Sequence, residues 1–151
     1  MWIDSVMVTR GLTYFTANPN AGGSLTNGST PAKVALNTAP QNPALDFSTA
    51  STRFNVATND NGMPFSFVGS VGVVSLAAGK LARAYLYKNG SPWISGPAST
   101  SDGVSNTVAS VSIPASALTA GDYVELWWSH TDSSQRAYAT TDTYLSGARV
   151  Q

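Results

Sequence analysis

The sequence predicts an all-β domain, a two-sheet antiparallel sandwich or jelly roll, and three observations carry that expectation. Apolar residues recur at period two far more often than at three-to-four spacing, which is the signature of half-buried strands. Gly, Pro, Asn, Ser and Thr break nearly every ten-residue window, so no long helix survives. Short strand-like runs then follow one another without a long linker, in a 151-residue chain that is about one ordinary domain long.

Val6 to Thr16 is the expected first strand. Phe65-Ser66-Phe67-Val68-Gly69-Ser70-Val71-Gly72-Val73 is the clearest, because its odd positions are apolar or glycine and its even ones mostly small or polar. Leu81 to Tyr87 follows and ends at Lys88-Asn89-Gly90, where the Asn-Gly pair readily supplies the positive φ angles of a tight hairpin. Val104 to Ile113, Tyr123 to Ser129 and Thr143 to Val150 complete the strands. Asn18 to Gly23, Thr38 to Pro43, Asn59 to Gly62 and Ser95 to Gly103 are expected as loops, since proline removes a ladder donor and glycine admits left-handed backbone. Leu76 to Leu86 and Leu118 to Trp128 share one plan, a leucine, a small-residue turn closed by glycine, and a strand. At the same phase they carry Arg83 and Glu125, a pair expected to meet if the two strands are neighbours.

Composition narrows the function. Charged residues are only 11% of the chain, and eight Lys plus Arg balance eight Asp plus Glu, so no overall field favours nucleic acid or an anionic membrane. The absence of cysteine excludes disulfides, thiolate catalysis and cysteine-held metals. Met1 to Val6 does not open a signal peptide, so synthesis in the cytoplasm is expected. The apolar stretch Val71 to Ala78 falls far short of the ~20 residues that span a bilayer.

Catalytic patterns are sparse. The one histidine, His130, would act as a general base held by Asp132; the plainer expectation is a solvent-exposed loop residue. Glu125 is the one glutamate, with no second carboxylate to face it across a glycosidic bond. Asn59, Asp60, Asn61 and Asp132 offer the hard oxygens that calcium prefers, but Asn59 to Gly62 is expected as a solvated turn, so no cofactor is assigned and calcium is the one ion these donors suit. Asn27-Gly28-Ser29 and Asn89-Gly90-Ser91 match the glycosylation sequon and are expected to be turns.

The aromatics say more. Trp127 and Trp128 are adjacent in a strand, so they point to opposite faces and only one enters the core. The other meets water, a partner subunit or a ligand. Trp93, Tyr138 and Tyr144 join this pair as candidate subunit-interface or ligand contacts, with sugar stacking, subunit contact and packing beneath a loop all open to them.

Thr52 to Val56, Gly62 to Phe67, Lys88-Asn89-Gly90, Leu118 to Leu126 and Thr143-Tyr144-Leu145-Ser146-Gly147 occur in the order seen in the globular head of complement C-one-q. Over roughly residues 45 to 150 the chain resembles that domain and its tumour-necrosis-factor-like relatives. The resemblance implies a jelly roll of about ten strands that assembles as a homotrimer and works by binding or attachment without catalysis. Alanine-, serine- and threonine-rich, cysteine-free versions are similar to domains on the fibres, baseplates and capsids of tailed bacteriophages.

The expectation is therefore a single domain over 1–151, with 1–45 as first strand, loops and candidate attachment segment. Its role is that of a non-enzymatic virion-surface protein, acting as capsid decoration or as a tail-fibre tip that binds a receptor. Its partners are sister copies, other virion proteins and a host-surface glycan, without nucleic acid or membrane insertion. The alternative is a secreted carbohydrate-binding module.

Overall fold

The computed structural model describes residues 14–25, 30–42, 44 and 46–150. The expected first strand before Tyr14, the Asn27 sequon and part of the candidate attachment segment lie outside the described residues.

The strands are β1 (Tyr14–Asn18), β2 (Ser24–Leu25), β3 (Ala32–Lys33), β4 (Thr38–Gln41), β5 (Phe47–Ser48), β6 (Arg53–Asn55), β7 (Pro64–Val74), β8 (Leu81–Lys88), β9 (Ser91–Ser95), β10 (Ser99–Thr100), β11 (Thr107–Ala117), β12 (Tyr123–His130), β13 (Arg136–Tyr138) and β14 (Tyr144–Arg149). They form two antiparallel sheets. The first runs β2-β13-β7-β14-β1-β4 with β11 on the other side of β7; the second runs β10-β8-β12-β6-β5, with β9 on β8 and β3 on β12. Successive long strands β7, β8, β11, β12 and β14 alternate between the sheets, so neither forms without the other. This is the antiparallel jelly-roll sandwich expected from the period-two pattern.

Alternation decides what lies between the sheets. All five phenylalanines, Phe15, Phe47, Phe54, Phe65 and Phe67, are buried and pack as one cluster, with Phe15 stacked on Phe54 at 5.0 Å. Gly147 faces the same cluster, where an added Cβ would stand 2.6 Å from Phe15 and 2.7 Å from Phe67. At the other end Trp128 meets Tyr138 edge-on at 5.8 Å. The hairpin between β8 and β9 turns on Asn89 (φ 53°) and Gly90 (φ 78°), the left-handed pair that the sequence announced.

Several local expectations are corrected. Thr38 to Gln41 and Ser99-Thr100 are short strands, not loop; β4 is an edge strand, where Pro40 removes no needed donor. Thr58–Asp60 is a turn of 3-10 helix, and Asp60 is buried against Arg149 (3.2 Å) instead of solvated. β8 and β12 are neighbours, but their register sets Arg83 opposite Ser129 and Glu125 opposite Tyr87. At about 3.3 Å per residue the expected Arg83–Glu125 pair is separated by several residues along the sheet.

Candidate functional site

Two outward faces remain once the core is filled, and they differ in chemistry. On the second sheet the outward residues of β8 and β12 are Arg83, Tyr85 and Tyr87 beside Glu125, Trp127 and Ser129. Trp127 lies on Tyr87 with ring centroids 4.2 Å apart and planes 10° from parallel. Its Nε1–H donates to Glu125 Oε2 (3.1 Å), and Lys33 Nζ donates to Glu125 Oε1 (2.6 Å) and to the Ser51 carbonyl (2.7 Å). The Arg53 guanidinium sits 4.2 Å from the centre of the Tyr123 ring. Burial raises the Tyr87 phenol above its ordinary pKa, with Tyr85 nearby adding to the shift. This face is a set of aromatic and charged groups that satisfy one another within the subunit, with one exception: Arg83 is exposed and has no ion-pair or ring partner among the described residues.

The outward face of the first sheet is the opposite. Across β1, β14, β7 and β11 the register lines up Tyr14, Ala148 and Ser66, then Thr16, Ser146, Val68 and Ser112, then Tyr144, Ser70 and Ser110. No outward position in these rows is charged; in the next row Val108 stands opposite Gly72, over which the Asp142 side chain lies. Tyr14, Val68 and Val108 are 42%, 42% and 46% exposed, large apolar side chains left in water by the subunit alone. Recesses lie at opposite edges of the sheet, about 580 Å³ beside Tyr14, Pro40, Asn42 and Phe47, and about 490 Å³ beside Val68, Pro97 and Ser110.

The five aromatic candidates do not share a site. Trp128 and Tyr138 are 1% and 3% exposed, inside the sandwich, so neither is available to a partner or ligand. Trp127 is the outward member of the pair. Trp93 is half-buried at the sandwich rim, its ring meeting Phe67 edge-on at 6.4 Å with Lys88 Nζ 6.0 Å from its centre. Tyr144 is half-buried on the uncharged face, opposite Ser70. Tyr14, Val68 and Val108 were missed. Their signal is an apolar residue on the polar phase of a strand, visible at Val68 between Ser66 and Ser70.

The candidate catalytic groups are committed elsewhere. His130 is a buried strand end, not an exposed loop residue; its Nε2 lies 3.1 Å from the Leu25 carbonyl, while Nδ1 is buried without a hydrogen-bond partner. Ser129 Oγ pairs with the Tyr85 hydroxyl at 2.9 Å. Asp132 accepts the Ser134 N–H and two Arg136 donors, which together hold its carboxyl down at about 2 against the opposing effect of burial. Burial would raise the Asp122 carboxyl, yet the Asn89 and Lys88 side chains and the Thr119 N–H outweigh it and keep it at about 2. Among the described residues no three His, Asp or Glu side chains gather as a metal centre.

No protein-family model matches the chain, and no curated protein matches it in sequence. Solved structures do match in shape. The Eiger TNF structure from S. frugiperda superposes with a TM-score of 0.65 at 12% identity, covering 94% of each chain. Murine APRIL gives 0.65 at 8% identity over 93% of this chain and 100% of that one. A dimeric latent PorU from Porphyromonas gingivalis gives 0.54 at 9% identity, over 91% of this chain but only 12% of that one. At such identities the likeness is one of architecture, and the architecture of this chain is the tumour-necrosis-factor-like jelly roll.

Proposed function

We propose that the chain is a non-enzymatic binding or attachment module that works as a homotrimer, closed through the outward face of its first sheet. The observation that carries this is the surface across β1, β14, β7 and β11, uncharged through the rows of Tyr14, Val68 and Tyr144, with Tyr14 and Val68 exposed on it and Val108 at its margin, where Asp142 lies over Gly72. Subunit interfaces lose charge and gain Tyr and apolar residues at their centres, and this face has that composition. A cyclic trimer joins two different patches of each subunit. The Tyr14 edge and the Val68–Val108 edge are two such patches, each with a recess beside it. The C-one-q-like and tumour-necrosis-factor-like resemblance of the sequence implies the same stoichiometry.

The finer setting we propose is the surface of a tailed-bacteriophage particle, as capsid decoration or tail-fibre tip in contact with other virion proteins. Its support is compositional, an Ala-, Ser- and Thr-rich chain without cysteine. Light scattering at about micromolar concentration tests the assembly: three subunit masses are expected, and a well-folded single subunit overturns it. Neighbouring genes test the setting, since a capsid or tail gene beside this one is expected and an operon of secreted polysaccharide-degrading enzymes contradicts it.

A further inference from the structure

We propose that the end of the second sheet around Arg83, Tyr85 and Ser129 is a binding site for an acidic saccharide, a pyranose carrying a carboxylate. The inference deepens the reading of the chain as a binding module and does not depend on the trimer. A recess of about 270 Å³ lies there, lined by Leu81, Arg83, Tyr85, Ala98, Ser129 and Thr131 among others. That is just under the usual small-ligand range of about 300–1,000 Å³ and suits a single ring more than a peptide.

Its chemistry has three parts. The first is charge. Lys33, Lys88, Arg136 and Arg149 each hold a carboxylate, and Arg53 covers the Tyr123 ring. Among the described residues, the cations left without such a partner are Arg83 and Lys80, both at this end of β8. The acids in this part of the chain are already engaged: Asp132 by Arg136, and Asp102, exposed on the loop after β10, by the N–H groups of Val104 and Ser105. An exposed guanidinium with no internal anion is suited to a carboxylate, which it grips with two parallel donors.

The second part is a hydroxyl pair. Tyr85 and Ser129 hydrogen-bond each other at 2.9 Å, and each oxygen keeps lone-pair capacity for a sugar hydroxyl. The third is an aromatic surface. It is the Tyr85 ring, which lines the recess; Trp127, opposite it in the register, lies outside the lining and is stacked on Tyr87. The bond to Ser129 holds the Tyr85 ring in place before a ligand arrives, and the apolar C–H face of a pyranose is what such a ring covers. A neutral sugar would use the ring and hydroxyls but leave Arg83 idle. An isolated carboxylate would use only Arg83.

Titration of the full chain with sodium glucuronate, glucose and sodium acetate, followed by NMR or tryptophan fluorescence, tests the site. Glucuronate is expected to give a saturable change below about 50 mM, with glucose and acetate at least about tenfold weaker. Arg83→Gln, an exposed position, should weaken glucuronate about tenfold while leaving the melting temperature unchanged, and Tyr85→Phe should weaken it less. No saturable change with glucuronate, equal response to glucose, or full binding by Arg83→Gln each overturns the proposal. Light scattering on the same samples keeps the outcome separate from the fate of the trimer.

Discussion

Trp127 stacks on Tyr87 across the β8–β12 pair at 4.2 Å, while the next residue, Trp128, turns inward and meets Tyr138. One strand therefore spends two adjacent indoles on two separate jobs. Trp128→Ser is expected to cost about 3–5 kcal/mol, as large-to-small changes of a buried tryptophan do. That is a large fraction of a domain's whole stability. Trp127→Ser loses a half-exposed stack worth about 0.5–1.5 kcal/mol beyond its area. Urea midpoints of the two variants check this, and similar losses would contradict the assignment of faces.

Glu125 is held by two donors, one on each carboxylate oxygen: Lys33 Nζ on Oε1 and Trp127 Nε1 on Oε2. Glu125→Gln keeps the shape but removes the charge facing a part-buried ammonium. A loss of about 1–2 kcal/mol is expected, which for this size shifts the midpoint of thermal unfolding by a few degrees. In Lys33→Met the same Glu125→Gln change should cost less, and a double-mutant cycle reads the coupling. Additive losses would show that the pair contributes nothing measurable.

Acid sensitivity follows from Asp122 and Asp132. Both carboxyls sit at about 2 in the folded chain against an ordinary 3.8, so the unfolded chain binds protons first as pH falls. Their stabilisation is fully present above about pH 4 and is lost on the way down to about pH 2. Unfolding free energy should therefore decline over that interval, and the Asp122→Asn, Asp132→Asn double variant should decline less. Urea titrations between pH 2 and 6 provide the measurement; parallel curves for the two proteins would refute the linkage.

What was legible in the sequence was what depends on neighbours along the chain. The split of Trp127 from Trp128 follows from alternation alone, and the Asn89-Gly90 turn from backbone sterics. What was not legible depends on register. Lys33–Glu125 and Asp60–Arg149 join residues 92 and 89 positions apart, and no local pattern fixes those partners. Arg83 and Glu125 share a phase in the two sequence copies, but antiparallel strands run past each other, so equal phase places them at different heights. Thr131 and Asp132 give the sequence around His130 the composition of a loop, but β12 continues through His130 and buries its ring.

Gly147 tests how closely the two sheets are packed. An added methyl would stand 2.6 Å from Phe15 and 2.7 Å from Phe67, closer than carbon atoms tolerate, and both rings are locked in the aromatic cluster. Gly147→Ala is expected to destabilise by about 1–3 kcal/mol, the usual cost of overfilling a core. A variant as stable as the parent would mean the cluster has slack that the geometry does not show.

The two outward faces make opposite predictions for assembly. Val68→Lys and Val108→Lys each place an ammonium where a sister subunit would remove it from water; Val68 has no acid in its row to receive it, and the acid near Val108 is Asp142, which lies over Gly72 and already accepts from Asn106. The change enters every interface of a closed ring, so even about 2 kcal/mol per contact lowers the association constant steeply. Both variants are expected to shift light scattering from three subunit masses towards one while far-UV circular dichroism stays that of a β sandwich, because these side chains touch water, not core. Trp127→Ser, on the other sheet, should leave the assembled mass unchanged. Dissociation by Trp127→Ser with intact assembly in the two lysine variants would move the interface to the second sheet.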